Sequence, residues 1–312
     1  MEVLRDPAAL PETVAGTALT VGFFDGVHLG HCDVVERTRA VAAELGVPSA
    51  VLLLDRHPAT VVRPETAPRL LTDRSQRIAF LRELGVDYAV VLQFDEEQSL
   101  QAPEEFVSSV LLGELRARAV VSGEDFHFGH RRRGDASLLH ALAAQLGFRF
   151  ELVAPVLHGG EVVSSTLIRG AVAEGDMHRA ARLLGRAYEL HGVVEHGDGR
   201  GRTIGFPTAN VAVPGDMLLP VDGVYAGWYR RPDGGRHVAA ISVGRRPTFY
   251  DENGLLLVEA FILDFDADLY GEQAWVEFTD YLRGQEKFDS VESLCAQLAR
   301  DVEQTRRLTS DG

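Results

Sequence analysis

The chain has 312 residues, enough for two ordinary domains, and its 46% hydrophobic and 25% charged residues are typical of a folded globular protein. A net charge of −15 argues against nucleic acid as a partner, because a duplex-coating protein needs a basic face; anionic small molecules stay open wherever arginines gather. No apolar run is long enough to span a bilayer, and the first ten residues lack the basic and apolar regions of a signal peptide. The cytoplasm is therefore the expected setting, with no membrane partner. The two cysteines, Cys32 and Cys295, form neither a disulfide framework nor a metal pair, which fits a reducing compartment. Lys287 is the only lysine. A Walker loop, Schiff-base chemistry or a lysyl-nucleotide intermediate would have to rest on it, so cationic work falls to arginine.

In chain order, short apolar runs alternate with helix-period segments as far as residue 156. Strands are predicted at 18–21, 49–54, 88–94, 119–122 and 149–156, and helices at 29–45, 75–84, 103–115 and 137–146. Such alternation predicts a parallel, doubly wound sheet. A helical connector over 166–186 breaks at Gly175 and Asp176. From 189 to 278 short β-rich runs lie between Gly, Pro and Asp clusters, which predicts an antiparallel barrel or sandwich. A last helix, over 290–306, puts Val291, Leu294, Cys295, Leu298 and Val302 on one stripe. The domains are accordingly read as 1–186 and 187–312.

In an open α/β sheet ligands sit beyond the carboxyl ends of the strands. Gly22, Phe23, Phe24, Asp25 and Gly26 follow the first strand and lead into His28, Gly30 and His31. Asp55, Arg56, His57 and Pro58 follow the second, and Gly123, Glu124 and Asp125 the fourth. Ser164, Ser165, Thr166 and Arg169 open a helix after the fifth. Glycines at 22, 26 and 30 let a ligand approach the backbone, and the helix beginning near Val27 offers free N–H groups to phosphate. His28 and His31 share a helix face and suit donation to phosphate oxygens or a leaving pyrophosphate. Ser165 and Thr166 would cap the later helix, with Arg169 one turn along. Taken singly, each reads equally as a structural turn or a cap; it is their clustering on one sheet edge that points to a ligand. Zinc at His28, His31 and His57 is disfavoured, because the metalloprotease spacing with its glutamate is absent. Cys32 reads as a small buried filler, and Arg131 to Arg133 as a solvated turn or a lure for anions.

In the second half, His196, Gly197, Asp198, Gly199, Arg200, Gly201, Arg202 and Thr203 precede Gly205, Phe206, Pro207, Thr208, Ala209 and Asn210. The glycine and arginine loop reads either as a phosphate wrap or as a mobile surface loop. Thr208 and Asn210 present hard oxygens suited to Mg²⁺. Period-two counting puts Glu259 on the face of Phe261, Leu263 and Phe265. That face reads as a semi-apolar interior suited to a general base or, equally, as a solvated edge.

The His28-Leu29-Gly30-His31 and Ser164-to-Arg169 elements resemble the nucleotidyltransferase superfamily with a His-x-Gly-His signature. With the loops at 22–31, 55–58 and 123–129, they look more narrowly like the adenylyltransferase half of the bacterial bifunctional riboflavin kinase/FAD synthetase family. The second half is similar to that family's kinase module. Its Gly-Phe-Pro-Thr-Ala-Asn signature stands unchanged at 205–210, and Glu259 falls where the family carries its catalytic glutamate, ahead of Asp268 to Gly271. The stretches 223–226, 242–244, 247–249 and 286–288 also match. Leu54 and Arg56 stand where Phe and Pro are usual, and Arg246 where asparagine often stands.

The resemblance implies a Rossmann-like nucleotidyltransferase domain followed by a six-stranded antiparallel β-barrel with a terminal helix. It implies that riboflavin is phosphorylated by Mg-ATP to FMN in the barrel, with Glu259 as base and Thr208 and Asn210 holding the metal. FMN is then adenylylated by a second ATP to FAD and pyrophosphate in the first domain, with His28 and His31 catalytic. Phosphate contacts are expected from Gly22, Phe23, Asp25, Gly30, His57, Ser165, Thr166, Arg169, Gly199, Arg200, Gly201 and Arg202, and flavin contacts from Asp125 and Phe206. The competing readings are a kinase whose first domain is inactive or serves another acceptor, and a non-catalytic flavin or nucleotide sensor. A transient homo-oligomer is compatible with all of them.

Overall fold

The structure is a computed structural model that describes residues 1–197, 200–245 and 256–310. It comprises two compact units: Met1–Pro68 with Arg74–Ser164, and Arg69–Asp73 with Ser165–Gly312.

The first unit holds strands β1 (Glu2–Leu4), β2 (Thr17–Gly22), β3 (Ser49–Leu54), β4 (Tyr88–Leu92), β5 (Ala117–Gly123) and β6 (Arg149–Val153). They form one parallel sheet in the order β1-β4-β3-β2-β5-β6. The central strands are continuous apolar runs because helices cover both faces. Leu19, Leu52, Val90 and Phe106 fill one side, and Val35, Val51, Leu53 and Leu81 the other. From β2 the chain winds outward through β3 to β4, then returns to place β5 on the other flank of β2. The crevice at the carboxyl ends of β2 and β5 is thus the topological switch point. β1 was not predicted: three residues beside Asp6 and Pro7 carry too little pattern, and the strand exists through pairing with β4. The run predicted to Val156 stops at Val153 and leads to a small hairpin of β7 (Leu157–His158) and β8 (Glu161–Val162).

The second unit starts with helices Ser165–Glu174 and Met177–Leu184. They are separated by Gly175 in the left-handed region (φ 78°) and by Asp176, whose carboxylate accepts from the Arg179 N–H. Strands β9 (Tyr188–Glu195), β10 (Ala209–Ala212), β11 (Gly223–Arg230), β12 (Arg236–Arg245), β13 (Leu256–Ile262) and β14 (Gln273–Arg283) close a barrel in the order β10-β13-β12-β11-β14-β9. Cross-strand rows such as Val194, Val211, Val258 and Val243 line its interior. Of the barrel and sandwich readings, the barrel is therefore the one formed. The segment Arg69–Asp73 joins this unit: the Leu70 N–H donates to the Asp216 carbonyl (2.8 Å), and the Leu218 N–H to that of Leu70 (2.7 Å).

The terminal helix, Val291–Thr309, opens with a capping box between Ser290 and Ser293. Its buried face differs from the predicted stripe: Asp301, Thr305 and Thr309 are buried, Val291 is 57% exposed, and the other four stripe residues are half-buried. The reason is an ion pair. Arg283 grips Asp301 with Nε at 2.9 Å and Nη2 at 2.6 Å, drawing a carboxylate inward where the period placed an apolar side chain. No helix among the described residues is long and apolar enough to cross a membrane.

Candidate active sites

The loop after β2 is built on backbone strain. Phe24 (φ 54°) and Val27 (φ 40°) occupy the left-handed region without being glycine, and both are buried. Each costs roughly 1 kcal/mol or more, a strain that persists only where packing over-determines the conformation and that gathers at functional sites. The loop ends at His28, which caps helix Leu29–Leu45: its Nδ1 accepts from the His31 N–H at 3.3 Å. The rings of His28 and His31 stack at 3.6 Å, and a side chain on Gly30 would meet the His28 ring at 3.3 Å. Phe24 lies edge-on to His31 at 5.0 Å, and Phe23 edge-on to His57 at 5.1 Å. His57 is also a local acceptor, taking the Ala59 N–H on Nδ1 at 3.1 Å.

A backbone N–H can only donate, so Nδ1 is the acceptor in both His28 and His57. Each neutral ring then carries its proton on Nε2. Asp25 is 3% and His28 6% exposed, so this is a sheltered polar cluster. Asp125, exposed in the loop after β5, lies at the other flank of the switch point. Arg56 is tied to its neighbour, with Nη2 2.9 Å from an Asp55 oxygen, and the other Asp55 oxygen accepts from the Phe94 N–H at 2.8 Å.

Gly22, Phe23, Asp25, His28, Gly30, His31 and His57 thus share the first unit. Ser165, Thr166 and Arg169 fall in the second. Ser165 and Thr166 open their helix, and Arg169 Nε donates to the Arg69 carbonyl at 2.9 Å.

In the barrel, β-register creates a second polar cluster. Asn210 on β10 lies directly opposite Glu195 on β9 and Glu259 on β13, and Glu259 opposite Ser242 on β12. Directly opposed residues share a face, so these four form one row. Gly197 roofs Asn210, which is 7% exposed; a side chain at 197 would come within 2.3 Å of the Asn210 Nδ2. The Gln285 amide donates to Ser242 Oγ at 3.0 Å. Phe206 tilts against Phe261 at 5.3 Å, on the face of Glu259. Its N–H bonds the Gly201 carbonyl at 2.8 Å, and a side chain on Gly201 would lie 2.2 Å from the Phe206 carbonyl oxygen. Thr208 is half-buried and Arg202 exposed.

Of the two readings of the Glu259 face, the interior one is not formed. Glu259 shares a face with Phe261, but that face is the outer wall; Val258, Ala260 and Ile262 point into the barrel. β13 ends at Ile262 and Asp264 turns the chain (φ 55°), so Leu263 and Phe265 do not continue its alternation. Period counting left the interior and the edge equally open, because apolar residues occupy both faces of this strand. Of the phosphate-loop residues, Asp198 and Gly199 lie outside the described residues, as does the side chain of Arg200. Arg246, Pro247, Thr248 and Phe249 lie outside them too.

Sequence reasoning missed Glu195, the His196–Tyr270 stack (3.7 Å) and a buried arginine, Arg77. Only Arg77 left a legible signal, standing four residues before Leu81 on the apolar face of its helix. It also missed His191, whose Nδ1 is 2.8 Å from Asp73. The Asp73 hydrogen bond raises the imidazole pKa above its usual 6.5 against the opposing effect of burial.

A family model described as FAD synthetase matches residues 10–167, and one described as riboflavin kinase matches 184–309. The chain belongs to the bifunctional riboflavin kinase/FMN adenylyltransferase family. The bifunctional riboflavin kinase/FMN adenylyltransferase of Listeria monocytogenes is 39% identical, over 97% of this chain and 96% of its own. That of Haemophilus influenzae is 36% identical, over 97% of each chain. A solved structure from Streptococcus pneumoniae, described as a macrolide-efflux protein, superposes with a TM-score of 0.85 at 30% identity, over 98% of both chains. The protein is thus a bifunctional enzyme, with its FAD synthetase module before its riboflavin kinase module. The histidine cluster lies in the FAD synthetase match and the Glu259 row in the riboflavin kinase match. The family, fold class and module order read from the motifs are confirmed.

Proposed function

We propose that each cluster is the reaction centre of its module, and that the protonation state of each nucleophile dictates the residues found there. In the barrel the nucleophile is the 5′-hydroxyl of riboflavin, which must lose a proton as it attacks the γ-phosphorus of ATP. Glu259, beside buried Asn210 and next to the Phe206–Phe261 wall, accepts that proton while Phe206 orients the flavin. The O–P bond to FMN forms as the γ-phosphate leaves ADP. The glycine and arginine loop, with Gly199, Arg200, Gly201 and Arg202, holds the phosphates.

The oxygens of Thr208 and Asn210 fit Mg²⁺, a hard cation. Among the described residues no trio of His, Cys, Asp or Glu is placed to hold a metal, so much of its coordination would come from nucleotide phosphates and water. When bound, Mg²⁺ neutralises phosphate charge.

In the first module the nucleophile is the FMN phosphate, already an anion. It attacks the α-phosphorus of a second ATP, and the bond to pyrophosphate breaks. No base is required. The Nε2–H groups of His28 and His57, with His31 stacked on His28, donate to phosphate oxygens, and the start of helix Leu29–Leu45 adds backbone donors. Gly22, Phe23, Asp25 and Gly30 shape the nucleotide loop, and Asp125 seats FMN or nucleotide. The cytoplasm supplies all these substrates.

The observation that carries this reading is the contrast in donor sets: a carboxylate beside an amide in one cluster, and imidazoles with committed Nδ1 atoms in the other. Purified protein incubated with riboflavin and Mg-ATP, followed by chromatography of the flavins, tests it. FMN followed by FAD is expected. FMN alone would leave only the kinase, and unchanged riboflavin would indicate a sensor.

A further inference from the structure

Helix Arg74–Glu83 of the first unit buries an arginine. Arg77 is 1% exposed, on the same side of the helix as fully buried Leu81. A guanidinium keeps its charge at any working pH, so burying it carries a large desolvation cost that an apolar residue would avoid. Part of the compensation is visible: its Cζ stands 3.9 Å from the centroid of the Phe23 ring. Phe23 in turn meets His57 at 5.1 Å with the rings at 83°.

Phe23 and Phe24 are consecutive, and each braces one histidine. The Phe24 arm is locked by its own left-handed backbone and deep burial, and it holds His31 at 5.0 Å. Phe23 is only half-buried and has no left-handed backbone. The guanidinium lies against one face of its ring. We infer that Arg77 is a positioning residue for adenylyl transfer: it grips Phe23, and through that ring sets the imidazole of His57. The inference rests on the reading of His57 as a phosphate donor.

The test uses the full-length chain with Arg77→Met, which keeps length but removes the charge, and Arg77→Lys, which keeps the charge. Riboflavin phosphorylation by the same preparation reports an intact second module, and thermal unfolding reports the first. Arg77→Met lowers kcat for FAD formation from FMN by about tenfold, the scale of a desolvated cation–π contact, with KM for FMN changed less than about twofold. Arg77→Lys restores most of that rate. In a His57→Ala background Arg77→Met adds no further loss, because the group it positions is gone. Should Arg77→Met fail to fold, Phe23→Leu is put through the same cycle with His57→Ala and is expected to be non-additive. Additive losses, an unaffected kcat in Arg77→Met, or failure of lysine to rescue would overturn the inference. A wild-type protein that makes no FAD would instead overturn the reading of the whole first site.

Discussion

At the carboxyl edge of the parallel sheet, the polar groups are imidazoles whose Nδ1 atoms in His28 and His57 already accept backbone N–H groups. On the barrel wall they are a carboxylate, an amide and a hydroxyl, set in line by strand register across β13, β10 and β12. The first arrangement is made by local chain geometry: a strained loop, a cap and stacked rings within a few residues. The second is made by long-range pairing, which brings together side chains 49 positions apart in Asn210 and Glu259. Short-range geometry suits groups that must only donate. Sheet register suits a base that must stand at a fixed distance from other oxygens.

Separating the two clusters by mutation gives the largest effects. Glu259→Gln is expected to slow FMN formation by about 10³-fold, within the range for loss of a general base, while FAD formation from added FMN is unchanged. Riboflavin-to-FMN conversion at the wild-type rate would refute the assignment. His28→Ala should do the reverse, lowering FAD formation by about 10²-fold as expected for a lost oxyanion donor, so that FMN accumulates in the chromatogram.

Smaller effects concern what holds the barrel unit together. His191 binds its proton more tightly when folded than when unfolded, because of Asp73. The pair therefore stabilises the unit fully below the unfolded value of 6.5, and the contribution fades as pH rises through the raised folded value. Asp73→Asn is expected to cost about 1 kcal/mol at pH 6 and little at pH 9, read from thermal unfolding at the two pH values. A penalty that is the same at both would contradict this sign. Tyr229 is buried, its hydroxyl has no hydrogen-bond partner among the described residues, and burial pushes its phenol pKa to about 12. Tyr229→Phe should then be neutral or stabilising by up to about 1 kcal/mol, and a clear loss of melting temperature would show that the hydroxyl is satisfied.

The sequence made visible what depends on neighbours along the chain. Helix Leu29–Leu45 and strand Ser49–Leu54 appear with the predicted bounds, and the connector breaks at Gly175 and Asp176. The His28-to-His31 spacing already implied one helix face. What depended on tertiary context was less accessible. The side of β13 that faces the barrel interior stayed undecided, since Phe261 and Ile262 look equally apolar in a string. The last helix turned Asp301 inward for Arg283, a partner eighteen residues away that no helical period reports. The commitment of His57 Nδ1 to the Ala59 amide, the stacking of Arg77 on Phe23 and the left-handed backbone of Phe24 all need coordinates.

The five-residue excursion from Arg69 to Asp73 changes what it means to take this protein apart. The polypeptide passes between its units after Pro68, after Asp73 and after Ser164, so the modules are not beads on a string. A single scissile bond placed in the connector would release a barrel that leaves one of its own straps behind on the other fragment. Truncations that follow the family boundary at residue 184 therefore deliver an incomplete kinase module, and comparing its melting temperature with the same module supplied with a 69–73 peptide would weigh that missing strap directly.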